Sequence, residues 1–217
     1  MDVKTSHLTD NTGSGSSINT ASISPSPNQL VLVYVATFNS GGTPNTPTLT
    51  GCNMTWVAVA TATTTQRKVT VFRGMSDNPT AGALTISYAG QSNSVGWSVD
   101  QFANVNTTGT NGSGAVVQSN VNQSTSVNGN FAVSLNPFAS VNNATYGGEQ
   151  QSANNATTGS SFTTIVNNNT NRVVEWANNN QTSVNWNVGV NNVLACAVAL
   201  EIAYQPPMGG AFLYNML

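Results

Sequence analysis

Residues 29–38 read QLVLVYVATF, apolar at both odd and even positions, and no other stretch constrains the fold as tightly. A strand alternates its side chains between two faces, so a run that is apolar on both must be covered on both. The β-branched and aromatic residues in it favour extended backbone. Weaker runs of the same kind predict strands at 54–62, 67–75, 83–89, 94–105 and 193–204, with a first strand beginning near Ile18. Within 94–105, Val95, Trp97 and Val99 share one face while Gly96, Ser98 and Asp100 share the other, the period-two pattern of a half-buried strand.

The punctuation agrees. Pro25 and Pro27 make 24–28 a turn, and Gly41, Gly42, Pro44 and Pro47 make 39–48 a loop. Residues 54–62 and 67–75 flank a threonine-rich turn and read as a hairpin. From 106 to 193 the chain turns rich in Asn, Thr, Ser and Gly, with short apolar pieces at 115–118, 131–135, 144–146, 162–166, 173–176 and 184–188. Asn111-Gly112 and Asn128-Gly129 suit turns that need positive φ. No helix-length window carries a sustained i, i+3, i+4 pattern. The prediction is an all-β fold, an antiparallel β-sandwich of jelly-roll type with very little helix. At 217 residues it forms one domain over 18–205, preceded by a polar N-terminal arm (1–17) and followed by an apolar tail (206–217).

Only 6% of the residues are charged, against about 25% in an average domain. Five Lys and Arg in the whole chain make no basic stripe, so neither nucleic acid nor an anionic membrane is an expected partner. A surface of amides and hydroxyls suits a protein packed among close neighbours or one exposed outside a cell. The opening residues Met1 to His7 lack the basic and apolar regions of an export signal, so synthesis in a cytoplasm is expected.

Reactive groups are scarce. His7 is the only histidine and falls in the polar arm, where it has no rigid setting for nucleophilic catalysis. One histidine with Cys52 and Cys196 does not supply a zinc site, and the acids are not clustered as calcium loops require. No cofactor is expected. The two cysteines read as reduced thiols, with pairing left open. Among Asp77, Asp100, Glu149, Glu175 and Glu201, the strand-borne Asp100 and Glu201 are the one pair that could face each other as in a glycosidase. Trp56, Trp97, Trp176 and Trp186 sit in strands as core residues. Trp176 and Trp186, flanked by asparagines, are also candidate glycan-binding residues.

Several phrases, taken in order, resemble jelly-roll domains of bacteriophage structural proteins and some bacterial surface proteins. They are Pro27-Asn28-Gln29-Leu30-Val31-Leu32-Val33, Leu49-Thr50-Gly51 leading to Met54-Thr55-Trp56, Val71-Phe72-Arg73-Gly74, Leu84-Thr85-Ile86, Ser98 to Val105, and Ala197 to Ile202. The resemblance implies a non-enzymatic virion protein, such as a capsid decoration (cement) protein, that binds a major capsid or other virion protein and forms homo-oligomers. It transfers no catalytic or ligand residue. In this reading the uncharged tail docks on a neighbour through Phe212, Leu213, Tyr214, Met216 and Leu217. The alternative is a carbohydrate-binding or adhesive surface module for host attachment.

Overall fold

The computed structural model describes residues 2–153, 156–167 and 171–206. Fourteen strands and no helix occur among them. One sheet has the order β1-β6-β2-β5-β4, formed by β1 (Lys4–Asn19), β6 (Thr85–Ala103), β2 (Leu30–Phe38), β5 (Arg67–Gly74) and β4 (Val57–Thr63), with β3 (Thr48–Thr50) also on β6. A second has the order β11-β12-β9-β14-β7, from β11 (Thr163–Asn167), β12 (Arg172–Ala177), β9 (Ala144–Gln151), β14 (Val193–Ile202) and β7 (Val116–Val127). A third joins β10 (Thr157–Thr158), β13 (Ser183–Asn187) and β8 (Asn130–Ser134). Every strand pair is antiparallel. The fold is an all-β sandwich, as the sequence pattern predicts.

The layers follow from strand parity. On β2, Leu30, Leu32, Tyr34 and Ala36 enter the core between the first two sheets. Val31, Val33 and Val35 enter a second cluster on the outer face, where Cys52, Met54 and Trp56 help to cover them. On β14, Cys196, Val198, Leu200 and Ile202 join the inter-sheet core, while Ala195, Ala197 and Ala199 join a third cluster with Phe131, Val133, Val184 and Trp186 of the small sheet. The central strands of the second sheet, β12, β9 and β14, are therefore buried on both faces. Each fully buried large apolar side chain contributes roughly 1.5–3 kcal/mol.

Close stacking on the second sheet depends on missing side chains. A Cβ on Gly147 would lie 2.5 Å from Val184 Cγ1 and 2.9 Å from Trp186 Cζ2, and one on Gly148 would overlap the Tyr34 ring. Adjacent glycines on β9 thus receive one aromatic ring from each neighbouring sheet. Across the same interface Phe102 meets Tyr146 edge-on, with centroids 5.7 Å apart and planes at 89°.

Two features depart from the sequence pattern. Residues 1–17 were expected to be an arm, but Lys4–Asn19 is a 16-residue edge strand paired with β6 from Lys4↔Ala103 to Asn19↔Thr85. Backbone pairing does not need apolar side chains, which is why alternation gave no sign of it. The partner is also longer than expected: most of 83–89 and 94–105 falls in one 19-residue strand, Thr85–Ala103, whose pairing with β1 carries register shifts.

The edges of β7 and β8 face each other without backbone pairing, and side-chain amides fill the gap. Asn120 Nδ2 donates to the Ser134 carbonyl (2.8 Å) and Asn122 Nδ2 to the Ala132 carbonyl (2.6 Å). Their Oδ1 atoms accept from the following amides, Val121 N–H (2.9 Å) and Gln123 N–H (2.8 Å). Gln118 bonds both the carbonyl (3.0 Å) and the N–H (2.9 Å) of Asn136. Each of these amides stands in for a peptide group of an absent strand, satisfying edges that would otherwise invite pairing with another chain.

Gly148→Ala should cost about 1–3 kcal/mol by overpacking against Tyr34, read as a lower denaturant midpoint at unchanged slope. Asn120→Ala with Asn122→Ala should lose about 0.5–1.5 kcal/mol per bridging hydrogen bond and expose the β7 and β8 edges. Static light scattering should then show more self-association than in the parent protein.

Candidate functional site

The chain holds five basic and seven acidic residues, and their placement inverts the usual rule. Arg67, Lys68, Asp100, Glu149, Arg172, Glu175 and Glu201 are buried. After Asp100 the sequence contains only four charged residues, Glu149, Arg172, Glu175 and Glu201, and all four are inside. The surface contributed by the described part of this half is uncharged: amide, hydroxyl and backbone, with Val117, Val121, Val141 and Val190 exposed among them.

The densest polar node lies where β1 crosses Asp100. Antiparallel register sets His7 opposite Asp100, and His7 Nδ1 lies 2.8 Å from Asp100 Oδ1. His7 Nε2 lies 2.8 Å from Asp10 Oδ2. The other Asp100 oxygen accepts from Ser98 Oγ (2.8 Å) and Tyr146 Oη (2.9 Å). Hydrogen bonding to the Asp100 carboxylate raises the imidazole pKa above its ordinary value, partial burial works against this, and Asp10 adds to the rise. Burial pushes the Tyr146 phenol well up, with the Asp100 charge adding to it.

Serine, histidine and aspartate thus meet here, but Ser98 and His7 both bind Asp100 rather than each other. Each ring nitrogen of His7 is held by a carboxylate, so neither is free to take a proton from a hydroxyl. The arrangement clamps the edge strand to the inter-sheet core through its second carboxylate oxygen. His7, expected in a polar arm, sits on a strand, and only the β1–β6 pairing reveals its partner.

Asp100 and Glu201 do not face each other. Asp100 lies on the inner face of the first sheet, whereas Glu201 accepts from Gln118 Nε2 (2.6 Å) and Asn143 Nδ2 (2.6 Å). Leu200 and Ile202 on either side of it enter the inter-sheet core, so Glu201 points to the far face of β14. Trp186, expected as a glycan-binding candidate, is 0% exposed beneath the small sheet and cannot present its ring to a ligand. Trp176 is partly buried against Phe102, with centroids 6.4 Å apart. The segment carrying Phe212, Leu213, Tyr214, Met216 and Leu217 lies outside the described residues.

Cys52 and Cys196 are both buried and unpaired, in core clusters on opposite faces of the first sheet. Burial raises the Cys196 thiol to about 12, so it behaves as a small apolar side chain. No group of three or more metal-ligating His, Cys, Asp or Glu side chains occurs among the described residues.

An open concavity of about 620 Å³ runs between the β4–β5 turn and β7. Thr63, Thr64, Thr65, Gln123, Ser124 and Thr125 line it, with no charged side chain. The Thr63 N–H is satisfied there by Gln123 Oε1 at 3.0 Å. Such a groove offers donors and acceptors in equal measure and no field to attract an ion. Comparison with family models, with curated proteins and with solved structures returns no match.

Because the folded-state pKa of His7 lies above its unfolded value, its contribution is complete below about pH 6.5 and is lost as pH rises through the elevated value. The difference in melting temperature between the parent protein and His7→Ala should therefore be largest in mild acid and shrink at alkaline pH. A difference independent of pH would show that the Asp100 contact does not hold β1.

Proposed function

We propose that this chain is a non-enzymatic structural domain of a virion, of the capsid decoration kind, that works by surface contact with a shell protein. The supporting observation is the inward placement of much of the charge: seven of the twelve charged side chains are buried, and the outer faces are rich in neutral amides and hydroxyls. Such faces bind by shape, hydrogen bonding and apolar patches, with little electrostatic steering. Among close-packed neighbours they avoid the cost of burying unpaired charge. The resemblance to phage jelly-roll domains and the apolar segment 208–217 favour the same reading. In it, Phe212, Leu213, Tyr214, Met216 and Leu217 would each contribute about 1.5–3 kcal/mol on full burial against the shell, before ordering costs. Homo-oligomers and synthesis in a host cytoplasm belong to this proposal.

A second reading rests on the uncharged groove beside β7, whose hydroxyls and amide suit a neutral polyhydroxylated ligand. It makes the chain an adhesive or carbohydrate-binding module. Trp176, on β12, does not line this groove, whose contacts would come from Gln123 and the surrounding hydroxyls.

Purified particles from the source should contain the chain in fixed proportion to a shell protein. The isolated protein should rebind stripped shells with an affinity that hardly changes from low to molar salt, because few counterions are released. Removing 208–217 should abolish rebinding while leaving the melting temperature unchanged. Absence from particles, or a steep salt dependence, would overturn the virion reading; selective retention on a glycan array, lost in Gln123→Ala, would favour the second.

A further inference from the structure

The small sheet lies over two carboxyl groups that nothing in it can neutralise. Glu149 on β9 pairs with Val173, and Glu175 on β12 pairs with Gly147, so the two sit diagonally on one face, within about 7–8 Å. That is the face covered by the small sheet, since Val173 belongs to the cluster holding Val184 and Trp186. Both glutamates are 0% exposed. Among the described residues, neither oxygen of Glu149 and only one of Glu175 has a partner, the backbone N–H of Gly159 beside β10 at 3.1 Å. The strands β8, β10 and β13 contain no titratable side chain. On β14, Ala195 and Ala197 share the cluster and bring none either.

The nearest opposite charges stand behind the sheet and are directed elsewhere: Arg172 donates to Ser94 Oγ (2.7 Å) and Arg67 to the Gln151 carbonyl (2.9 Å). Tyr34 and Cys196 also lie on that inner side, in the inter-sheet core. Two charged carboxylates cannot be held in an apolar layer without ion pairs or hydrogen bonds, whereas two carboxylic acids can.

We propose that Glu149 and Glu175 form a proton-operated latch: protonated, they let the three-stranded sheet seat on the sandwich, and ionised, they release it. Desolvation raises the pKa of Glu149 well above the ordinary carboxylate range, with Glu175 adding to the rise, and burial takes Glu175 to about 8. The seated state is thus favoured most in acid, weakens above the usual carboxylate pKa and is lost as pH passes about 8. The latch belongs to the isolated chain and does not depend on the virion reading.

Hydrogen exchange of the whole protein, followed by mass spectrometry and corrected for intrinsic rates, tests it. Protection at 130–134 and 183–187 should fall as pH rises through about 8, while 30–38 in the central strand stays protected. In Glu149→Gln with Glu175→Gln the alkaline loss should vanish; Glu175→Gln alone should move its onset to higher pH if the double variant folds poorly. Unchanged alkaline loss in these variants, or loss of protection equally over all three segments, would overturn the proposal. Recovery of protection at alkaline pH on adding millimolar calcium would also overturn it, assigning the pair to a metal ion.

Discussion

The whole architecture hangs on how closely two sheets can approach β9 and β14 from opposite sides. A strand buried on both faces needs two partners at sheet-packing distance, and large residues at every position would hold them apart. Gly147 and Gly148 remove the obstruction at successive positions, one for Trp186 and one for Tyr34. The alanines at 195, 197 and 199 do the same along β14 on the side of the small sheet. Large residues on the outer sheets fill the space the small ones leave. The same approach puts Tyr146 within reach of Asp100 and the Tyr34 hydroxyl on the Glu149 carbonyl at 2.6 Å.

Most of the charged residues lie inside this packing, and the surface is largely amide and hydroxyl. Long-range repulsion does not keep this surface soluble, so its sheet edges need local protection. The asparagines of β7 supply it by bonding the outward N–H groups of their own strand and the carbonyls of β8 at once. Asn11 does the same for Thr12 N–H on β1, at 2.8 Å. An asparagine-rich composition thus acquires a structural reason. The buried charges are treated individually: Asp100 is paired and hydrogen-bonded, Glu201 is held by two amides, and Glu149 and Glu175 are left for protons.

Legibility tracked side-chain periodicity. β2, the β4–β5 hairpin and β14 stand out in the sequence because burial selects apolar residues at fixed parity. β7 shows only its first residues, because the rest is stabilised by amides rather than by burial. β1 is silent, since its pairing is made by backbone and its one telling contact, His7 with Asp100, spans 93 positions. Trp186 shows why flanking asparagines mislead: Asn185 and Asn187 lie on the opposite face of β13 from the ring, so their polarity says nothing about its exposure.

Taken alone, the sequence determined that the chain is all-β, antiparallel, nearly free of charge and poor in reactive groups, because period, turn chemistry and composition are local properties. Tertiary structure decided that three sheets stack rather than two, that the N-terminal residues close an edge, and that seven of the twelve charged residues, including all four after Asp100, are buried. Those outcomes depend on which strands become neighbours. Strand pairing is set by the packing of whole faces, which no short window of residues records.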